Sequence, residues 1–526
     1  LLKTSASIEL NVLVLGEKPL NLNDMYQLLF KDRQLDLSEK ALLKTGKNFS
    51  FLKEFSSGKL IYGINTGFGP MAQYKIAEKD LHQLQYNLIR SHCSGSGSML
   101  SDTDIKALMI ARLSSLIQGY SGVSNELLSA LRECINRNIL PCIYEHGGVG
   151  ASGDLVQLAH LALALIGEGE VKYKGSVMNS AVVFEREKLK PVSIFQREGI
   201  ALLNGTSAMT GIGIVNLIYA KKLLNLSVLI STCINELVEA FDDHFSAELN
   251  KVKAHKGQLR IARAMTKMAS GSRMIRKRTD HLYNGSKIIT DIVEEKVQEY
   301  YSLRCVPQIL GPVLDTIQSA EEVLINELNS VNDNPIIDSE NQNIYHGGNF
   351  HGDYVALEMD KLRIAVTKLS MLAERQLNFL LNDKLNQKIP PFINLGKLGL
   401  NYGSQGMQFT ATSTVAENQT LSMPAYIHSI PNNNDNQDVV SMGANSALIT
   451  RKVILNSFEV LAIQAIAVIQ AIDHLGCTDR LSAPAVNFYK ELRIICPKFV
   501  EDRPLFRDIR QVTTYLKESE IELLHS

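Results

Sequence analysis

Four stretches of this chain carry apolar residues at helical spacing over many consecutive turns. They are "GIGIVNLIYAKKLLNLSVLISTCINELVEAF", "LGPVLDTIQSAEEVLINELNS", "GDYVALEMDKLRIAVTKLSMLAERQLNFLLN" and "SALITRKVILNSFEVLAIQAIAVIQAIDHLG". Apolar positions at i, i+3, i+4 and i+7 mark helices. Helices longer than about 25 residues belong to bundles rather than to layered α/β domains. Alanine, leucine and small polar residues on several faces imply that some of these helices are covered all round. The expected fold is therefore mainly α, a long central helix bundle with a smaller mixed N-terminal region. The mixed region is placed at residues 1–200 and the bundle with its C-terminal helical part at 201–526. Within the first region "DLHQLQYNLIRSH", "DIKALMIARLSSLIQGYSG" and "SNELLSALRECINRN" read as helices, and "VKYKGSVMNSAVVF" as a hairpin around its glycine. "KLIYGINTGFGPMAQYKI", with three glycines and a proline, reads as a structured loop. The pattern does not support a Rossmann domain.

Composition narrows the function by exclusion. The 526 residues include 54 Lys and Arg against 55 Asp and Glu, for a formal net charge of −1. That balance offers no electrostatic case for nucleic acid or an anionic membrane. The seven cysteines lie far apart without a CxxC pair, which suits free thiols in a reducing compartment. The opening "LLKTSASIELNVLVLG" lacks the order of a secretion signal, so a cytoplasmic location is expected. "VLAIQAIAVIQAIDHLG" is interrupted by Gln464 and Gln470 and is expected as a core or interface helix, not a membrane span.

Chemistry is concentrated between the helices, in "YGINTGFGP", "NGTSAMTG", "VQEYYSLRCVPQ", "NSVNDNPIID", "YHGGNFHGD", "GSQGMQF" and "IPNNNDNQDVVSMG". Polar loops of this kind in a helical protein are costly unless their amides are hydrogen-bonded or serve a site. His346 and His351 stand without an HExxH pattern, so no metal is expected. The segment "GGVGASGDLVQLAHLAL" crowds four glycines around Ser152 and then begins a helix. It is neither a GxxxxGK[ST] phosphate loop nor a GxSxG nucleophile elbow. Gly153, lacking a side chain, lets its own amide nitrogen approach the Ala151 carbonyl. Ring closure with loss of two waters, one of them from the serine, would give an electrophilic imidazolone.

Through these motifs the chain resembles the aromatic amino acid ammonia-lyases, the histidine, phenylalanine and tyrosine enzymes with their related aminomutases. "GxxGASGDLxxLAH" is joined in the expected order by "YGINTGFG", "NGT", "YSLRCVPQ", "NDNP", "GGNFHG" and "NQD", from about Leu60 to the last long helices. The resemblance implies the ammonia-lyase/fumarase-like architecture and a homotetramer with shared active sites. It also implies a 4-methylidene-imidazole-5-one (MIO) formed autocatalytically from Ala151, Ser152 and Gly153, with no external cofactor. Tyr62 is implied as the base for the β-proton, in a loop that Gly67 and Gly69 let close over the substrate. Arg304 is implied as the carboxylate clamp, its planar fork matching two oxygens. Tyr301, Gln298 and Asn204 are implied to orient the ring group and the amine, Phe350 to wall the prosthetic group, and Asn334 to bind the carboxylate or brace Arg304.

Two positions bear on the substrate. Ser91–His92 matches the histidine enzymes, whereas Gln437 stands where those enzymes carry a glutamate. A neutral amide suits an aryl substrate, and a neutral His92 can donate to a phenolic oxygen. The pair of motifs resembles bacterial tyrosine ammonia-lyases that keep Ser-His, so the expected reaction is deamination of L-tyrosine to trans-4-hydroxycinnamate (p-coumarate). Histidine ammonia-lyase, an aromatic 2,3-aminomutase and an inactive helical scaffold are the alternatives.

Overall fold

The computed structural model describes residues 12–285, 291–293 and 296–520. Most of the opening read for a secretion signal, residues 1–11, lies outside them. The fold is mainly helical, with a bundle of long helices and a smaller mixed N-terminal region. The four periodic stretches form the helices Ser207–Leu237, Val306–Leu328, Asp353–Leu381 and Gly443–Leu475. Two compact units divide the chain discontinuously. One takes the residues up to Ile218 with Ala320–Asp360 and Pro424–Ile449, and the other takes Tyr219–Ser319, Lys361–Met423 and the residues from Thr450 onward.

In the first unit the strands are short. Val12–Leu15 and Gln34–Leu37 pair in parallel on either side of the helix Leu22–Phe30. Glu170–Tyr173 and Ser176–Asn179 form the expected hairpin, with Leu140–Pro141 added as a third strand. Lys174 and Gly175 both have positive φ at its turn, as a tight two-residue connection requires.

In the second unit, the stretch Val460–Ile472 is buried on every face. Each of the two glutamines that interrupt its apolar run has a partner, although Gln464 Oε1 has none among the described residues. Gln464 Nε2 donates to Gln376 Oε1 at 2.7 Å, while Gln470 accepts from Arg493 Nη2 at 3.0 Å and donates to the Phe499 carbonyl. Burying an amide without such partners would cost about 1–3 kcal/mol. Among the described residues two helices, Ser207–Leu237 and Gly443–Leu475, are by length and composition apolar enough to cross a membrane, yet their windows are 78% and 83% buried within the protein. Both pack as core helices.

Several segments expected as loops are helix entries. "NGTSAMTG" enters the Ser207–Leu237 helix at its fourth residue, and "GSQGMQF" runs into the helix Gln405–Leu421 after Ser404. Glycine and serine there are N-terminal residues, where neither is penalised as it would be mid-helix.

Candidate functional site

The segment Val149–Asp154 is held by backbone bonds to three distant stretches. Met442 N donates to Val149 O at 3.0 Å, Gly352 N to Gly150 O at 3.1 Å, and Asp154 N to Gly205 O at 2.8 Å. Gly352 and Met442 immediately precede the helices Asp353–Leu381 and Gly443–Leu475, Asp154 caps Leu155–Leu165, and Gly205 lies two residues before Ser207–Leu237. Four helix N-termini therefore open onto the tripeptide, where the sequence reading anticipated one. Each brings partial positive charge, a setting that favours developing negative charge.

Glycine is required here by contact as well as by φ. Gly150 (φ +72°) would put a Cβ 2.1 Å from Ser441 Oγ, and Gly153 (φ +73°) would put one 2.1 Å from Gly205 O. Asn334 N donates to Asn204 Oδ1 at 2.7 Å, which turns the Asn204 amide so that Nδ2 donates to Ser152 O at 2.9 Å. Gln437 Nε2 donates to Ser152 Oγ at 2.8 Å. A left-handed, side-chain-free residue after the serine, a fixed carbonyl and a donor on the departing hydroxyl all fit ring closure and dehydration at Ala151–Ser152–Gly153. Beneath them Asp154 is fully buried, accepting from Met209 N at 2.9 Å, and burial pushes its carboxyl up to about 7.

Tyr62 is held by its neighbours in sequence. Ile61 and Ile64 are buried against Phe51, Leu52 and Ile337, so the backbone on both sides of Tyr62 is anchored. Gly69 N donates to Tyr62 Oη at 3.2 Å, and the rings of Phe68 and His346 stand edge-on at 6.4 Å each. Burial and the Arg197 charge lower the His346 pKa, favouring its neutral form. The loop closes on itself through Gly67 N to Tyr74 O at 2.9 Å and Ile76 N to Asn65 O at 3.0 Å. Its tip leaves Met71 and Tyr74 exposed.

The run "NNND" also finds its reason. Asn433, Asn434 and Asp435 all have φ between +51° and +57°, and Asn432 and Gln437 pair across them. Asn and Asp tolerate the left-handed region better than other residues with side chains, so the run builds a tight reversal that presents Gln437. Asn334 Oδ1 accepts from Gly347 N at 2.7 Å, bracing the "GGNFHG" loop that carries half-buried Phe350.

Ser91 and His92 end the helix Leu81–His92 and are tied back to it. Ser91 Oγ donates to Leu88 O at 3.1 Å, and His92 Nδ1 lies 2.9 Å from the same carbonyl. Ser91 Oγ also lies 3.1 Å from Nδ1, and the tautomer with its proton on Nδ1 would bond the carbonyl and leave Nε2 as an acceptor.

Gln298, Tyr301 and Arg304 belong to the second unit. Tyr301 and Gln298 are exposed, and the Arg304 guanidinium lies over the Tyr301 ring at 4.7 Å. Gln376 Nε2 donates to Ser302 O at 2.8 Å and so holds the turn that carries them. Among the described residues no group of three or more His, Cys, Asp or Glu could hold a metal ion.

Sequence reasoning missed the residues that hold the tripeptide from behind. Ser441 Oγ donates to Gly150 O at 2.9 Å, and buried Arg112 donates to Asn204 O and Asn332 Oδ1 at 3.1 Å each. Arg112 sits in an apolar helix whose pattern gave no signal for it, whereas a polar Ser441 beside "NQDVV" was within the reach of motif reading.

Residues 20–494 match the family model for aromatic amino acid lyases. The chain is 42% identical over 461 residues to tyrosine 2,3-aminomutase of Chondromyces crocatus, with 87% of each chain covered. It is 37% identical over 508 residues to histidine ammonia-lyase of Shouchella clausii, covering 96% of this chain and 98% of that one. The crystal structure of tyrosine aminomutase from Streptomyces globisporus superposes with a TM-score of 0.92 at 35% identity, covering 96% of each chain. The chain belongs to the aromatic amino acid lyase family, enzymes that make their methylidene-imidazolone from an alanine, a serine and a glycine of their own.

Proposed function

We propose that this enzyme acts on L-tyrosine as a 2,3-aminomutase, releasing some 4-hydroxycinnamate and ammonia when the amine escapes before it is re-added. Gln437 carries the substrate reading: a neutral amide stands beside Ser152 at the position where histidine enzymes have a glutamate. His92 supports it, since Nε2 can accept from a phenolic O–H. The motifs alone favoured net deamination. The tyrosine aminomutases among the chain's relatives move the reading to amine transfer.

The methylidene-imidazolone supplies an electrophile for the substrate. The chain's residues do the rest. Tyr62 takes the β-proton, with the Gly69 N–H on its oxygen. Arg304 holds the carboxylate, and the loop from Gly63 to Tyr74 excludes water while the amine is retained. In the isomerisation, a C–N bond breaks at Cα and forms at Cβ, while one proton moves from Cβ to Cα, so nothing is gained or lost. Tyr301 and Gln298 are exposed in the second unit, which supports a homotetramer whose subunits complete one another's sites. A cytoplasmic location accords with seven free cysteines.

A substrate panel with chromatographic separation of products tests this. β-Tyrosine from L-tyrosine should exceed any product from L-phenylalanine or L-histidine in kcat/KM. A site that satisfies a phenolic OH disfavours the analogue lacking it. Hydroxycinnamate without β-tyrosine would return the enzyme to the ammonia-lyases. Urocanate formed fastest would favour the histidine reading, which Ser91–His92 and the histidine ammonia-lyase relative support.

A further inference from the structure

Gly153 and Gly205 face each other with no side chain between them, and Arg112 lies against Gly205 from behind. A Cβ on Gly153 would meet Gly205 O at 2.1 Å, and a Cβ on Gly205 would meet Arg112 Nη1 at 2.1 Å. The guanidinium, Gly205 and the ring-forming residue are stacked in that order. We infer that Arg112 is a positioning residue for maturation, pressing the Asn204–Gly205 peptide onto Ser152–Gly153 so that the tripeptide can cyclise. This rests on the assignment of Ala151–Ser152–Gly153 as the precursor.

The hydrogen bonds separate this role from charge pairing. Arg112 Nη1 donates to Asn204 O and Asn332 Oδ1 at 3.1 Å, with Ser207 Oγ at 3.5 Å, while Nε and Nη2 have no hydrogen-bond partner. Asp333 lies 3.8 Å from Arg112 but 3.1 Å from Arg197, which already serves as its counter-ion. What Arg112 adds is the link from the "NGT" turn to the "NDNP" turn. Both act on Asn204, whose carbonyl takes the Arg112 bond and whose Oδ1 takes the Asn334 N–H. The Asn204 amide is thereby aimed at Ser152 O, and Gly205 O meets Asp154 N. Burial lowers the Arg112 pKa to about 10, so it stays cationic at neutral pH.

The step that this geometry assists is balanced within the chain. Gly153 N bonds to the Ala151 carbonyl carbon, and the oxygen leaves as water with the Gly153 and Ser152 amide protons. The Ser152 hydroxyl then leaves as a second water with the Cα proton, giving the exocyclic double bond. No oxidant is needed.

Intact mass reads maturation without relying on turnover. Wild-type protein should be lighter than its sequence by two waters. Freshly purified Arg112→Lys and Arg112→Gln, folded by circular dichroism, should consist mostly of chains at full mass. In Arg112→Lys, kcat should fall in proportion to the dehydrated fraction with KM unchanged, and that fraction should rise on incubation. Folded variants as fully dehydrated as wild type would overturn this inference alone. If neither variant folds, Arg112 is a general folding residue and the inference fails. A full-mass wild-type chain would overturn the precursor assignment and this inference with it.

Discussion

Gly153 shows how two costs at one residue can be told apart. Its φ of +73° alone costs a residue with a side chain about 1–2 kcal/mol. The 2.1 Å approach to Gly205 O adds an overpacking cost of roughly 1–3 kcal/mol. Gly175 has a similar φ of +83° but nothing within 4 Å of its Cβ position. Gly153→Ala should therefore lose clearly more stability in urea than Gly175→Ala, and keep its full sequence mass where Gly175→Ala is dehydrated. Equal losses, or a dehydrated Gly153→Ala, would mean that the close approach relaxes without consequence. This residue was legible in the sequence because its chemistry is local: Ala151, Ser152 and Gly153 are consecutive. Arg112 was not, since its partners Asn204 and Asn332 lie 92 and 220 positions away. An arginine among apolar helix residues carries no mark of such a partner.

At the scale of elements, long helices could be read because their period repeats over many turns, whereas their first residues resemble loops. "NGTSAMTG" and "GSQGMQF" are rich in glycine and small polar residues because they lead into helices beginning at Ser207 and Gln405. The helix Asp102–Leu116 offers a clean test of what a helix start contributes. Ser101 Oγ accepts from Asp104 N at 3.2 Å and donates to Asp104 Oδ2 at 2.7 Å. Ser101→Ala should cost about 1 kcal/mol, seen as a lower urea midpoint. Arg112 lies in the same helix, near its other end, and its contacts are not touched by the substitution. The Ser101→Ala chain should remain dehydrated by two waters. Full-mass chains in this variant would mean that any loosening of the helix impairs maturation.

For the whole molecule, assembly was expected from apolar helix surface, and the exposed face of one long helix now gives it particular residues. Tyr354, Leu357 and Ile364, at i, i+3 and i+10 of the helix Asp353–Leu381, are exposed on one side of it. Most side chains on its other faces, such as Val355, Met359 and Val366, are buried. With half-buried Lys361 between them and exposed Lys368 beyond, Tyr354, Leu357 and Ile364 form a mixed apolar and basic face that would suit a second copy in the proposed tetramer. Elsewhere in the second unit, which also holds Ile364, Tyr402, Phe409 and Met423 are each more than half exposed. A closed homo-oligomer repeats each contact at every equivalent interface, so one charge placed on the helix face acts several times. Light scattering should give the wild-type enzyme four times the chain mass. Ile364→Glu should shift it to smaller species, because a carboxylate there would have to lose its water on assembly. If Tyr301 and Arg304 complete the site of another subunit, as proposed, turnover should fall with the loss of tetramer while the dehydrated mass persists. An Ile364→Glu monomer with undiminished kcat would show that each chain completes its own site.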